Sequence, residues 1–141
     1  MRSTDGHATK VNGRWRLEGR LEEVATARHG VRALLRGAGL DEDTIALAEL
    51  ATGELVANAL EHGGGEEIEV ALEAGPGGLV LTVINQGPVF PAPLVDLRTH
   101  GTAERGRGLA ILSAFGCDVA IGHPKPSRCA VTARIPVATV R

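Results

Sequence analysis

Residues 68 to 84 read Ile-Glu-Val-Ala-Leu-Glu-Ala-Gly-Pro-Gly-Gly-Leu-Val-Leu-Thr-Val-Ile, two β-rich runs on either side of the turn signal Ala74-Gly-Pro-Gly-Gly78. Neither run can continue through those glycines and the proline, so the spacing predicts an antiparallel hairpin. Upstream the apolar period changes to that of a helix. Leu21, Val24, Ala25, Val31, Leu34 and Leu35 recur at helical spacing to about Arg36, where Gly37-Ala-Gly39 ends the run. Asp41 is an N-cap for a second and longer helix that runs from Thr44 to His62 and stops at Gly63-Gly-Gly65. Residues 1–13 are polar and read as a loose arm ahead of a short strand, Trp15–Leu17, with a single domain over 14–141.

Downstream of Asn85 the chain passes through prolines and glycines to Arg107 and enters a short apolar helix, Leu109 to Phe115. Two β-rich runs follow, Asp118–Ile121 and Ala130–Ile135, and predict a second hairpin around Pro124 and Pro126. Helices and strands come in runs rather than in strict alternation. That order implies an α+β fold, a two-layer sandwich with a mainly antiparallel sheet and the helices on one face.

Composition narrows the function classes. A chain of 141 residues suits one core and one domain, and 43% apolar with 23% charged residues is the balance of a globular chain. Aromatics make up only 2%, which leaves the core to Leu, Val, Ile and Ala. A net charge of −2 and no dense run of Lys and Arg provide no field for nucleic acid. No stretch is long and apolar enough for a membrane span, and the N-terminus has no export signal, so a cytoplasmic protein is expected. Cys117 and Cys129 lack metal-ligand spacing and read as buried free thiols in a reducing compartment. Arginine far outnumbers lysine, and with abundant Ala and Gly this suits a GC-rich bacterial source.

The second helix carries the first chemical signal, Gly53-Glu-Leu-Val-Ala-Asn-Ala-Leu-Glu-His-Gly63. Glu54, Asn58 and His62 stand one turn apart on one face, bordering the apolar set Ile45, Ala48, Leu55, Val56 and Ala59 rather than lying within it. A carboxylate and an amide oxygen at this spacing suit a hard divalent cation and the water beside it. The same residues also read as an exposed acid, a surface amide and a histidine favoured by the helix dipole.

The second signal is Glu104-Arg-Gly-Arg-Gly-Leu109. Gly106 and Gly108, at the expected start of the apolar helix, let the backbone approach an anion that helix N–H groups can hold. Between Asn85 and this pair lie roughly twenty residues without regular structure, a length more typical of lids and binding loops than of connectors. Helix, strand end and glycine pair converge on one cleft.

With these segments in this order, the chain resembles the GHKL, or Bergerat-fold, ATP-binding domain, in a small free-standing form similar to bacterial anti-sigma-factor serine kinases. The resemblance covers about residues 14 to 137. It implies ATP and Mg²⁺ as cofactors, Glu54 at or near the general base, and Asn58 as the Mg²⁺ ligand. Gly106 and Gly108 would give backbone amides to phosphate oxygens, flanked by Arg105, Arg107 and Leu109, with His62 closing the helix beside the nucleotide. Asn85 and Gly87 fall where the family reads adenine, and Asn85 replaces the family's aspartate. Pro126-Ser-Arg-Cys129 replaces a Gly-Thr or Gly-Ser before the last strand. The implied partners are a sigma factor and an anti-sigma-factor antagonist that is phosphorylated, and the family also implies a homodimer surface. Asn85 keeps an acceptor for the adenine amino group and adds a donor, but loses the charge assistance of a carboxylate. A second reading therefore stands beside the kinase: a nucleotide-weak module of the same fold that regulates a partner by binding alone.

Overall fold

The computed structural model describes residues 11–62, 67–75, 77–85, 103–125 and 128–137. Among them run β1 (Asn12–Leu17), α1 (Glu23–Gly37), α2 (Glu42–His62), β2 (Ile68–Gly75), β3 (Gly78–Asn85), α3 (Ala103–Ala114), β4 (Asp118–Lys125) and β5 (Arg128–Pro136). The five strands form one antiparallel sheet in the order β1-β2-β3-β5-β4. Helix α2 packs on β2, β3 and β5, with α1 beside it over β1 and α3 beside it over β4. This is the α+β arrangement expected from the order of elements.

Both hairpins form where the turn signals place them. In the first, Gly75 pairs with Gly78, and Gly77 adopts φ +84°, a backbone conformation that costs glycine little. Gly78 has no alternative residue for a second reason. At φ +151° a β-carbon there would overlap the carbonyl oxygen of Ile135 and stand 3.0 Å from its carbonyl carbon. In the second hairpin the β4–β5 register shifts between Gly122 and Lys125. Pro124 lies in that stretch of β4, an edge strand where a missing N–H costs no ladder bond on the open side.

Strand period two sorts the sheet into an inner and an outer face. Leu79, Leu81 and Val83 of β3, Ile68, Val70 and Leu72 of β2, and Val131, Ala133 and Ile135 of β5 are buried against the helices. From the helical layer come Ala27, Val31 and Leu35 of α1, Ile45, Ala48, Leu55 and Val56 of α2, and Leu112 of α3. Each fully buried Leu or Ile contributes about 1.5–3 kcal/mol relative to exposure. On the outer face Arg14 pairs with Glu69 and Arg16 with Glu67, exposed ion pairs worth at most about 1 kcal/mol each.

The helix starts use acidic side chains. Asp41 Oδ2 accepts from the Thr44 N–H at 3.1 Å and Oδ1 from the Thr44 hydroxyl at 2.6 Å, so Asp41 caps α2 as its sequence suggests. At α1 the Glu23 carboxylate accepts from the N–H groups of Glu18 (2.9 Å), Gly19 (3.0 Å) and Arg20 (2.9 Å), which folds the incoming loop onto the first turn. Those backbone donors, Arg20 first, hold its carboxyl below the usual carboxylate range.

One boundary moves. The ladder with β2 extends back to Asn12, the Ala74 N–H donates to the carbonyl of Val11 at 3.0 Å, and Val11 is buried. Residues 11–13, assigned to the arm from their polarity, belong to the domain. Gly13 belongs there for lack of a side chain: a β-carbon would come within 2.7 Å of both Trp15 Cη2 and Leu34 Cδ2. Cys117 and Cys129 are both buried, as expected. Among the described residues no helix is long and apolar enough to cross a membrane.

Candidate functional site

Helix α2 stays helical through Gly53, and that glycine has a packing reason. A β-carbon at Gly53 would lie 3.3 Å from Arg28 Cδ, so the Arg28 stem of α1 crosses α2 one residue before Glu54. Arg28, Glu49, Gly53 and Glu54 line a cleft of about 270 Å³ between the two helices. Composition and spacing did not single out Arg28 or Glu49. The signal was a glycine inside an otherwise uninterrupted helix, which marks a close approach.

Glu54 turns toward α3. A β-carbon on Gly108 would overlap the Glu54 carboxyl carbon and Oε2 and stand 2.8 Å from Cγ, so the carboxyl group lies directly against the α3 backbone. Oε1 is shut off from solvent. One turn further along α2, Asn58 is 5% exposed. It lies deeper than the border position expected from the helical wheel, because a wheel drawn on α2 counts only that helix's own residues and not what packs beside it. Buried polar groups in apolar surroundings are costly unless something hydrogen-bonds them. Thr52, inside the same helix, solves this locally by donating to the carbonyl of Ala48 at 2.8 Å.

The glycine pair is placed differently from the expectation. Helix α3 starts at Ala103, so Gly106 and Gly108 lie within it rather than at its first turn. A helix leaves only its first four N–H groups without internal partners, and Gly108 falls beyond them. In this conformation the Gly108 amide belongs to the helix ladder, and the role left to the residue is the space that its missing side chain gives to Glu54. The shift has a physical origin. Alanine, glutamate and arginine at 103–105 are good helix formers, and they extend the helix ahead of glycines that would otherwise start it.

Asn85 ends β3. Leu79, Leu81, Val83 and Asn85 alternate along the strand on the face covered by α2, so the amide takes the last place in an apolar stripe. It is 1% exposed, and neither Oδ1 nor Nδ2 has a hydrogen-bond partner among the described residues. Its ladder neighbours are Ile68 on β2 and Cys129 on β5, both buried. A buried amide with both ends unsatisfied costs roughly 1–3 kcal/mol for each group left unpaired. Such a position suits a ligand that supplies the missing partners.

The remaining predicted site residues are placed only in part. His62 is the last residue of α2, and Arg105, Arg107 and Leu109 lie along α3, with their side chains outside the described set. Gly87, the expected lid over 86–102 and the Pro126–Ser127 turn also lie outside the described residues. The structure therefore brings Glu54 to Gly108, buries Asn58 a turn beyond Glu54, and puts Asn85 under the same helix.

Residues 17–135 match the model of the histidine kinase-like ATPase domain. The chain belongs to that family. Two solved structures share the fold. One is that of the RsbU and RsbW domains of Rv1364c from Mycobacterium tuberculosis, at 23% identity and a TM-score of 0.59, covering 92% of this chain and 34% of that one. The other is the SiaB–SiaC complex from Pseudomonas aeruginosa, at 13% identity and a TM-score of 0.54, covering 89% of both chains. The chain thus spans about a third of the Rv1364c structure. No curated protein matches this sequence.

The family is one of ATPase domains, which supports ATP binding by this chain. Glu54 and Asn58 provide a carboxylate and a buried amide on successive turns of α2, and Asn85 a second buried amide at the end of β3.

Proposed function

We propose that the chain is an ATP-binding regulatory protein of the anti-sigma-factor kinase type, which transfers phosphate to a serine or threonine of an antagonist protein and also binds a sigma factor. The observation that carries this reading is the seating of Glu54 against Gly108, which joins the acidic turn of α2 to the helix that follows the expected lid. Glu54 accepts the proton of the substrate hydroxyl as its oxygen bonds to the terminal phosphorus; the bond from that phosphorus to the bridging oxygen breaks, and ADP leaves. Asn85 holds the base, and Arg105 and Arg107 stand along α3 to meet phosphate charge.

Magnesium fits the donor set on one condition. Among the described residues no three His, Cys, Asp or Glu side chains gather to hold a metal. The Asn58 oxygen would then be the protein's contribution, with the rest from phosphate and water, a mixture that Mg²⁺ accepts. When bound, the ion would neutralise charge on the transferring phosphate.

Incubation with radiolabelled ATP and candidate antagonist proteins tests the kinase. Label on the antagonist, lost in Glu54→Gln, supports it; bound nucleotide with no transfer to any partner sinks it.

A second reading has an observation of its own. The Glu54 carboxyl fills the space over Gly108, and the Gly108 amide lies within a helix ladder, so this conformation offers phosphate no amide there. A module that binds nucleotide weakly and regulates by occupancy alone is consistent with that. A nucleotide at one hundred times its dissociation constant adds about 2.7 kcal/mol of stability. A thermal shift with Mg²⁺ and ATP well below that favours the module.

A further inference from the structure

We propose that Asn85 lets the base pocket accept 6-oxo purines as well as adenine, so that the chain binds inosine and guanosine triphosphates alongside ATP. The inference rests on the nucleotide-binding reading above. Its basis is the state of the side chain: 1% exposed, at the end of the buried stripe of β3, with Oδ1 and Nδ2 both unpartnered among the described residues.

An amide presents one acceptor and one donor side by side. On its pairing edge adenine offers the N6 amino donor beside the N1 acceptor. Hypoxanthine and guanine offer the reverse, the O6 acceptor beside the N1–H donor. The two edges are the same pattern read in opposite directions, and half a turn about χ2 converts an asparagine from one to the other. That torsion is broad and roughly two-fold, so neither orientation is strongly preferred by the side chain itself.

What usually fixes such an amide is a hydrogen bond from the protein. Here its ladder neighbours bring the hydrocarbon of Ile68 on β2 and the thiol of Cys129 on β5, and no described group bonds to either amide atom. The orientation is left for the ligand to choose. An ionised carboxylate at this position accepts only, so it matches the N6 amino group and opposes O6. The choice of asparagine therefore sets which bases the pocket tolerates, apart from how tightly it holds ATP.

Isothermal titration of the intact chain with the magnesium salts of ATP, ITP, GTP and CTP tests this, with circular dichroism confirming the fold of each variant. The expected result is that ATP and ITP bind within about ten-fold of each other, whereas Asn85→Asp weakens ITP relative to ATP by about ten-fold or more. Asn85→Ala, which introduces no buried charge, should weaken both purines alike and leave the ratio near one. GTP should bind within about a hundred-fold of ATP, the extra 2-amino group accounting for any loss relative to ITP. Native protein that binds ITP more than about ten-fold more weakly than ATP, or GTP more than about a hundred-fold more weakly, overturns the proposal, as does CTP binding as tightly as ATP. Either result leaves the ATP-binding reading intact. Absence of binding by any nucleotide overturns both.

Discussion

The Glu54 carboxyl group lies against the α-carbon of Gly108, with no room between them for a methyl group. Two segments more than fifty residues apart in sequence thus share one packing contact, between an acid proposed as the proton acceptor and a glycine first marked for phosphate. Gly108→Ala tests the contact. Alanine in a helix interior gains about 1 kcal/mol over glycine, but here its methyl must displace a carboxyl at the end of a flexible side chain. Stability should change by less than about 1 kcal/mol, whereas phosphotransfer should fall about ten-fold or more as Glu54 moves. In a Glu54→Ala background the same substitution should stabilise by about 1 kcal/mol, and a double-mutant cycle in urea unfolding reads the difference.

Glu54→Gln keeps the shape of the side chain and removes its capacity to take a proton. Transfer should fall by about 10²–10⁴-fold with little change in ATP affinity, measured by filter assay and by titration. An equal loss of both would place Glu54 in binding rather than in proton transfer.

Asn85→Leu should stabilise the nucleotide-free protein, because it replaces an unsatisfied buried amide with hydrocarbon at the end of an apolar stripe. The expected gain is about 1–3 kcal/mol in chemical unfolding, together with loss of any ATP-induced thermal shift. A less stable variant would mean that the amide finds its partner within the protein.

Gly30→Ala should destabilise by about 1–3 kcal/mol although helix propensity favours alanine. A β-carbon at Gly30 would come 2.5 Å from Trp15 Nε1 and 2.8 Å from Cε2, and a rigid indole wedged against α1 cannot bend away as a carboxyl can. Far-ultraviolet circular dichroism during heating measures the change. The contrast between Gly30→Ala and Gly108→Ala separates packing against a ring from packing against a flexible chain.

Asp41→Ala should cost about 1 kcal/mol at neutral pH through loss of the α2 cap. The Thr44 hydroxyl first, then the Thr44 N–H, hold the Asp41 carboxyl below its ordinary range, so its contribution is present above the unfolded value and is lost as pH falls through the folded value. The stability difference between native and variant should therefore shrink in acid, and unfolding curves from pH 7 downward show whether it does.

Much of this architecture was legible because local signals and tertiary fold agree. Gly75 to Gly78 turn the first hairpin, Asp41 caps α2, and the alternation of β3 selects its buried face. Legibility failed where a neighbour decides the outcome. Asn12 and Gly13 are polar or small, and only β2 beside them makes them strand. Asn58 is buried, and the burial of a polar residue at the border of an apolar face depends on neighbours that no wheel drawn on α2 alone contains. The glycine pair stands out in the sequence, but its position inside α3 follows from helix-forming residues ahead of it, and the space at Gly108 is filled from another helix. The place of Arg28 is illegible for a similar reason, since the feature that accommodates it is an absent side chain at Gly53.

Trp15, the only tryptophan, sits on β1 against Gly13 and Gly30, two strands away from β3. Its emission therefore reports on the edge of the sheet where no nucleotide is expected, and bound ATP should leave its spectrum unchanged at low temperature. When the same emission follows thermal melting, any delay caused by nucleotide has to have crossed β2 and β3 to reach the indole. A single natural fluorophore thus measures whether the domain melts as one cooperative unit, with no label introduced.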